Sequence, residues 1–252
     1  MSFRSKCHRA SEIVSKFLEP VSENMGTDQR ELRTQTQQHV LETMKILRST
    51  LAHYKLNEVA ISYNGGKDCL VILVVLLAVM YDVYTEEIGC DNYRLDGIYV
   101  HSEESFEEVE RFLVESCETW GLNRIKINDD LKSGFRDYME HINPDVKAVV
   151  IGVRRTDPYS KNLTASEMTN NDWPRFMRIN AALDWHYVHI WDFIRGCDLE
   201  YCKLYDLGYT SLGGVHTTTP NPYLRLESGS YNPAYVLQDD LKERAGRAKK
   251  NT

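Results

Sequence analysis

A chain of 252 residues with 42% hydrophobic content is long enough to bury a sizeable core, and its net charge of −7 argues against a general nucleic-acid binder, which needs a basic face. Its six cysteines fall in no C-x-x-C pair and follow no secretory leader, so reduced thiols of a cytoplasmic protein are expected and a structural zinc site is not. The apolar run from Leu70 to Tyr81 is too short to cross a bilayer and is bounded by Asp68 and Asp82.

Residues 1 to 20 mix Arg4, Lys6, Arg9 and Lys16 with Glu12 and Glu19, the pattern of a surface helix rather than a transit peptide. Leu32, Thr36, Val40, Met44 or Leu47, Leu51 and Tyr54 recur at helical spacing and predict one amphipathic helix from Asp28 to Tyr54. Next, Val59 to Ile61 suit a buried strand, and Gly65 and Gly66 can take backbone angles that other residues resist. A buried helix follows from Leu70 to about Tyr84. Backbone N–H groups converging at such a helix start favour an anion, and nucleotide phosphate is the natural guest. The loop is not a Walker loop, because Ile61 and Asp68 stand where glycine and Ser or Thr are needed, and no G-x-G-x-x-G fingerprint is present.

Leu95 to Val100 reads as a second strand ending in His101-Ser102-Glu103-Glu104. The helix after it carries Phe106, Val109, Leu113, Cys117 and Trp120 on one face and stops at Gly121. Arg124 to Ile127 is a third strand, Leu131 to Ile142 a helix, and Ala148 to Val153 an apolar fourth strand. This alternation predicts an α/β fold with a doubly wound, mainly parallel sheet and helices on both faces. Ligands of such sheets sit beyond the carboxyl ends of the strands, which puts Asn64, Asp68, Ser102, Arg154, Arg155 and Asp157 on one rim. Ser160 to Asp172 reads as a polar loop and Val188 to Arg195 as a helix. Any one of the aromatics from Trp173 onward is better read as core packing, while their density beside a nucleotide rim raises the chance of a flat aromatic ligand.

Ser62-Tyr63-Asn64-Gly65-Gly66-Lys67-Asp68 resembles the pyrophosphatase-type loop, SxGGKD(S), of enzymes that cut ATP between the α- and β-phosphates, with Cys69 in place of the usual serine. The runs Ile151 to Pro158, Trp173 to Arg178 and Leu204 to Gly213 resemble the 3′-phosphoadenylyl sulfate reductase-like superfamily, which implies an adenine nucleotide alpha-hydrolase-like fold. Pro220-Asn221-Pro222, the ending Glu243 to Arg247 and Asn64 narrow the resemblance, over about residues 55 to 248, to eukaryotic FAD synthetases, the FMN adenylyltransferases.

That resemblance implies a cytoplasmic nucleotidyltransferase of FAD biosynthesis that moves the adenylyl group of ATP to FMN with Mg2+, releasing pyrophosphate. It implies a single domain over 1–252: a helical lead-in over 1–54, a nucleotide-binding core over 55–195 and a segment closing on flavin and phosphate over 196–252. Ser62, Tyr63, Asn64, Gly65, Gly66, Lys67 and Ser102 would bind ATP. Asn64, Asp68, Arg244 and Arg247 would be catalytic, and Asp68 would hold the metal. Arg154, Asp157, Asn170, Trp173 and Arg178 would bind the flavin, with Asn170 standing where yeast-type members carry an acid and Ala181-Ala182 replacing a proline-containing step. The partners implied are small molecules, with no nucleic acid, membrane or obligate protein partner and no appended hydrolase or riboflavin-kinase module.

Two alternatives stay open. A sulfate-nucleotide reductase on the same scaffold would need a thiolate in its C-terminal tail, and no cysteine lies beyond Cys202. A non-catalytic flavin or nucleotide sensor would keep the pocket and lose only the chemistry.

Overall fold

The sheet is built around strand β1 (Val59–Ser62), which pairs in parallel with β2 (Leu95–His101) on one side and β4 (Ala148–Ile151) on the other. The structure is a computed structural model, described over residues 2–84, 88, 93–101, 103–170 and 172–248. Strand β3 (Leu122–Asn128) extends the sheet beyond β2, again in parallel. Beyond β4 lie β6 (Met177–Ile179), parallel, and β5 (Ser166–Met168), the antiparallel edge. The order is therefore β3-β2-β1-β4-β6-β5. The direction of winding reverses at β1, and the crevice between the carboxyl ends of β1 and β4 is the topological switch point where such sheets bind ligands.

Successive strand side chains point to opposite faces, and in β1 and β4 both faces are buried, which is why these two strands read as continuous apolar runs. Val59, Ile61, Ala148 and Val150 join a large core with helices α1 (Phe3–Phe17), α2 (Thr27–Leu51), α3 (Lys67–Val83), α4 (Glu107–Trp120) and α6 (Tyr187–Gly196). Ala60, Ile98 and Val149 point the other way, into a smaller core closed by Phe135 of α5 (Leu131–Asp137) and by Tyr138. The predicted arrangement, a mainly parallel sheet covered by helices on both faces, is the one observed.

Four local differences have physical reasons. Helix α3 starts at Lys67, three residues before Leu70, because Gly66 in extended conformation serves as its N-cap. The fourth strand ends at Ile151 rather than Val153, where Gly152 passes so close to α3 that an added Cβ would lie 2.8 Å from the Cα of Cys69. The N-terminal helix is more than a surface helix: Phe3, Cys7, Ala10, Val14 and Phe17 form a buried stripe within the larger core. Finally, the polar loop contains β5, which pairs with β6 just beyond it, and these three-residue strands carry too little periodicity to be read from sequence.

Candidate active site

The phosphate loop owes its shape to two glycines and one folded-back side chain. Gly65 takes φ +73°, a left-handed conformation that side chains with a Cβ resist. Asn64 turns its Oδ1 back to accept the Gly66 N–H at 2.9 Å, and the Cys69 thiol donates to the same oxygen at 3.0 Å. No side chain caps Gly66, so α3 opens toward the crevice with backbone donors of its first turn unused by the helix. The hydroxyl of Tyr205 accepts the Lys67 N–H at 3.0 Å and ties the loop to the C-terminal half of the chain.

Behind the loop lies a buried group of five charged residues. Lys67, only 2% exposed, donates from Nζ to Asp68 at 2.9 Å and to Glu243, and lies 5.1 Å from the ring centre of Tyr187. Arg154, 0% exposed, donates to Asp240 at 3.1 Å and to Glu243, and its Nε sits 2.6 Å from Asp68 Oδ1 without an aligned hydrogen bond. Burial penalises the charge on Asp68, but Arg154 and Lys67 outweigh it and hold the carboxyl below the usual carboxylate range. Burial likewise opposes the charge on Lys67, while Asp68 and Glu243 keep its pKa raised.

A cavity of about 820 Å³ opens over this assembly. Of the residues expected to bind nucleotide, Ser62, Asn64, Gly66, Lys67 and Asp68 line it. Asp157, Asn170, Trp173 and Arg178 from the expected flavin set also line it, as do Arg244 and Arg247. Asp157 is fixed by the Arg154 N–H, which donates to its Oδ2 at 3.0 Å, and its Oδ1 lies 3.8 Å from Arg244. Arg247 donates to the Leu212 carbonyl at 2.6 Å and lies flat against Gly213, where a Cβ would come within 2.2 Å of its guanidinium. Burial, with the charge of Arg244 beside it, lowers the pKa of Arg247. Arg178 presents a buried Nε that lacks a hydrogen-bond partner among the described residues.

Other expected residues lie off the cavity wall. Tyr63 is fully buried beneath the loop, its hydroxyl paired with Ser116 of α4, so its side chain braces the loop from behind. Gly65 contributes the turn alone. Arg154, expected against the flavin, is taken up by its carboxylate partners instead. Ser102 lies outside the described residues. The pair Arg244 and Arg247 was expected on a helix; a 3₁₀ helix runs from Asp240 to Gly246, with Arg247 as its extended cap. Sequence reasoning missed Glu243 and Asp240 because a buried charge is recognised by its partners, and Lys67 and Glu243 are 176 positions apart.

Fold and site together define an α/β protein with a ligand cavity at the switch point of a mainly parallel sheet, and residues 136–220 match the model of the phosphoadenosine phosphosulfate reductase domain. The chain is 38% identical over 205 residues to a probable FAD synthase of Schizosaccharomyces pombe, covering 81% of this chain and 77% of that one. It is 33% identical over 248 residues to the flavin adenine dinucleotide synthase of Saccharomyces cerevisiae, covering 91% and 78%. It spans only 39% and 40% of the length of the Caenorhabditis relatives it matches. The crystal structure of Candida glabrata FMN adenylyltransferase in complex with FMN and the ATP analogue AMPCPP superposes with a TM-score of 0.89 at 26% identity, covering 100% of this chain and 99% of that one. The chain belongs to the FAD synthase family.

Proposed function

We propose that this protein transfers the adenylyl group of ATP to FMN, giving FAD and pyrophosphate. The observation that carries the proposal is the single cavity that unites the uncapped start of α3, the guanidinium groups of Arg244 and Arg247, and the wall formed by Trp173 and Arg178. A phosphate oxygen of FMN attacks the α-phosphorus of ATP; the new P–O bond forms as the bond between the α-phosphorus and the bridging oxygen breaks, and pyrophosphate leaves. Such a transfer needs alignment and charge neutralisation more than covalent help from the protein.

Each residue then has a physical task. Backbone donors of the loop and first turn hold the leaving phosphates, with Ser62 and the Gly65-Gly66 turn shaping their seat and Tyr63 bracing it. Asn64, its oxygen already engaged, offers its amide N–H groups to the α-phosphate; one preorganised donor of this kind is worth on the order of 100- to 1000-fold in rate. Arg244 and Arg247 neutralise charge on the phosphates. Arg178, Trp173, Asn170 and Asp157 face the flavin, and Arg154 serves by holding Asp68 and Asp157 in place.

Asp68 would hold, through water, a magnesium ion that arrives with the nucleotide: its carboxylate is kept ionised and its side chain is 21% exposed at the cavity wall, while Oδ1 lies against Arg154 and Oδ2 accepts from Lys67. Among the described residues no group of three or more His, Cys, Asp or Glu could hold a metal, so a bound ion would draw its other ligands from phosphate and water. When bound, Mg2+ would neutralise phosphate oxygens. A cytoplasmic setting belongs to the same reading, which the free thiols of Cys7, Cys69, Cys117, Cys197 and Cys202 support.

Incubation of the purified chain with ATP, Mg2+ and FMN, with riboflavin and a sulfate nucleotide as parallel substrates, tests the proposal. Equimolar FAD and pyrophosphate, lost on chelation of the metal, is the expected result. Binding of FMN without FAD would favour a sensor, and turnover of the sulfate nucleotide with a thiol donor would favour a reductase.

A further inference from the structure

We infer that Glu243 is a positioning residue: its buried carboxylate locks the Asp240–Gly246 turn against the phosphate loop through Lys67 and Arg154, and thereby aims Arg244 and Arg247 at the phosphates. The inference rests on the reading of the cavity as an ATP site.

With three residues per turn of the 3₁₀ helix, side chains at i and i+3 eclipse one another, so Asp240, Glu243 and Gly246 share one face and Arg244 stands on the next, while Arg247 leaves the helix as its extended cap. The first face is wholly committed to the protein. Asp240 accepts the Tyr187 N–H at 2.7 Å and an N–H of Arg154 at 3.1 Å. Glu243 takes Lys67 on one oxygen and Arg154 on the other. Gly246 lies against the Thr219 carbonyl, which a Cβ would meet at 2.2 Å. The main chain is gripped as well, since Thr210 donates its hydroxyl to the Glu243 carbonyl and Asn221 donates to the Lys242 carbonyl at 2.8 Å. With that face fixed, Arg244 on the next and Arg247 at the cap, the latter held by the Leu212 carbonyl, both line the cavity.

The same contacts give Lys67 an unexpected role. Although it stands in the phosphate loop, its ammonium is satisfied by Asp68, Glu243 and the ring of Tyr187. In this structure it is the loop's half of the lock, and the phosphate is left to the backbone donors and the two arginines. Of the five charges, Lys67 and Arg154 are positive and Asp68, Asp240 and Glu243 negative, and Glu243 is the carboxylate of the 3₁₀ turn that bridges both cations.

The test compares the cost of Arg244→Ala in the parent chain and in a Glu243→Gln background, with FAD formation as the assay and urea unfolding as a parallel measurement. Glu243→Gln keeps the shape and removes the charge. The expected result is a fall in kcat of about 10- to 100-fold with the KM for FMN nearly unchanged, and an Arg244→Ala cost that shrinks from about 100-fold to a few-fold, because an arginine that is no longer aimed has little left to lose. A Glu243→Asp variant should recover part of the rate. Losses that multiply independently, or an unchanged kcat in Glu243→Gln, overturn the inference, even where urea shows a less stable protein. Should Glu243→Gln fail to fold, Thr210→Val, which removes the hydroxyl that donates to the Glu243 carbonyl and accepts from Asn221 but leaves the buried charges in place, carries the same comparison; an undiminished Arg244→Ala cost there overturns it too. A parent chain that makes no FAD removes the underlying reading, whereas FAD formation with independent losses removes only the role of Glu243.

Discussion

Asn64 and Gly66 form a closed pair: the side-chain oxygen of the first accepts the backbone N–H of the second at 2.9 Å, and a Cβ on Gly66 would stand 2.9 Å from that same oxygen. Alanine at 66 therefore has to push the Asn64 amide out of its turn. Gly66→Ala is expected to lower kcat on the order of 100-fold, close to the loss in Asn64→Ala. Cys69→Ser, which keeps a donor to the same oxygen, should stay within a few-fold of the parent. Steady-state rates at saturating FMN check all three, and a Gly66→Ala protein with the parent's kcat would remove the orienting role of the turn.

Asp68 sits between Lys67 and Arg154, which makes it structural and chemical at once. Asp68→Asn takes from Lys67 and Arg154 a carboxylate that both contact, and removal of one partner from a buried pair costs roughly 3 kcal/mol. The variant should unfold at lower urea and need more Mg2+ for any residual FAD formation. If its Mg2+ dependence matched the parent's while only stability fell, the metal role would be lost and the structural one kept.

What could be read from the sequence follows the range of the interactions concerned. Strand β1, the glycine turn and α3 depend on neighbours in the chain, and their apolar runs and glycines announce them. The placement of Asn64, Asp68, Asp157 and the two C-terminal arginines at one cavity follows from the resemblance together with the rule that ligands sit at strand ends. Arg154 shows where local reasoning stops. As an arginine at a strand end it belongs on the rim, yet Asp240 and Glu243 arrive from 86 and 89 positions away and draw it under the loop. Tyr205 is similar, since its bond to the Lys67 N–H joins positions 138 apart that no periodicity links.

The histidines where α6 meets α2 predict a pH response. His189, 5% exposed, packs against His39 with ring centres 4.5 Å apart and against His186 at 5.5 Å, with Gln35 at its Nε2. Burial first, then the neighbouring charges of His39 and His186, depresses its pKa to about 4, against opposing pulls from Asp192 and Asp240. A histidine whose folded pKa lies below its unfolded value binds fewer protons in the native state. Its contribution is intact above about pH 6.5 and is lost as pH falls toward 4, to a total of roughly 3 kcal/mol. Urea midpoints measured from pH 7.5 to 4.5 should decline for the parent and decline less for His189→Gln; equal slopes would remove His189 as the source.

Tyr159 offers the last prediction, because it combines two unfavourable features that a binding role would explain. Its backbone takes φ +66°, a left-handed conformation that costs a residue with a Cβ about 1–2 kcal/mol. Its side chain is 100% exposed at the wall of the cavity, five residues after Arg154 and within the loop that Arg155 props through the carbonyls of Lys161 and Leu163. Glycine at this position relieves the backbone and removes the ring, so its two effects should have opposite signs. Tyr159→Gly is expected to raise the urea midpoint slightly and to weaken FMN binding about 5- to 10-fold, the worth of one aromatic contact. Tyr159→Phe, which keeps the ring, should bind as the parent does. Titration of the flavin's fluorescence separates these outcomes: if the glycine variant quenches FMN at the same concentration as the parent, the ring makes no contact with the flavin and the strain at Tyr159 has no part in binding it.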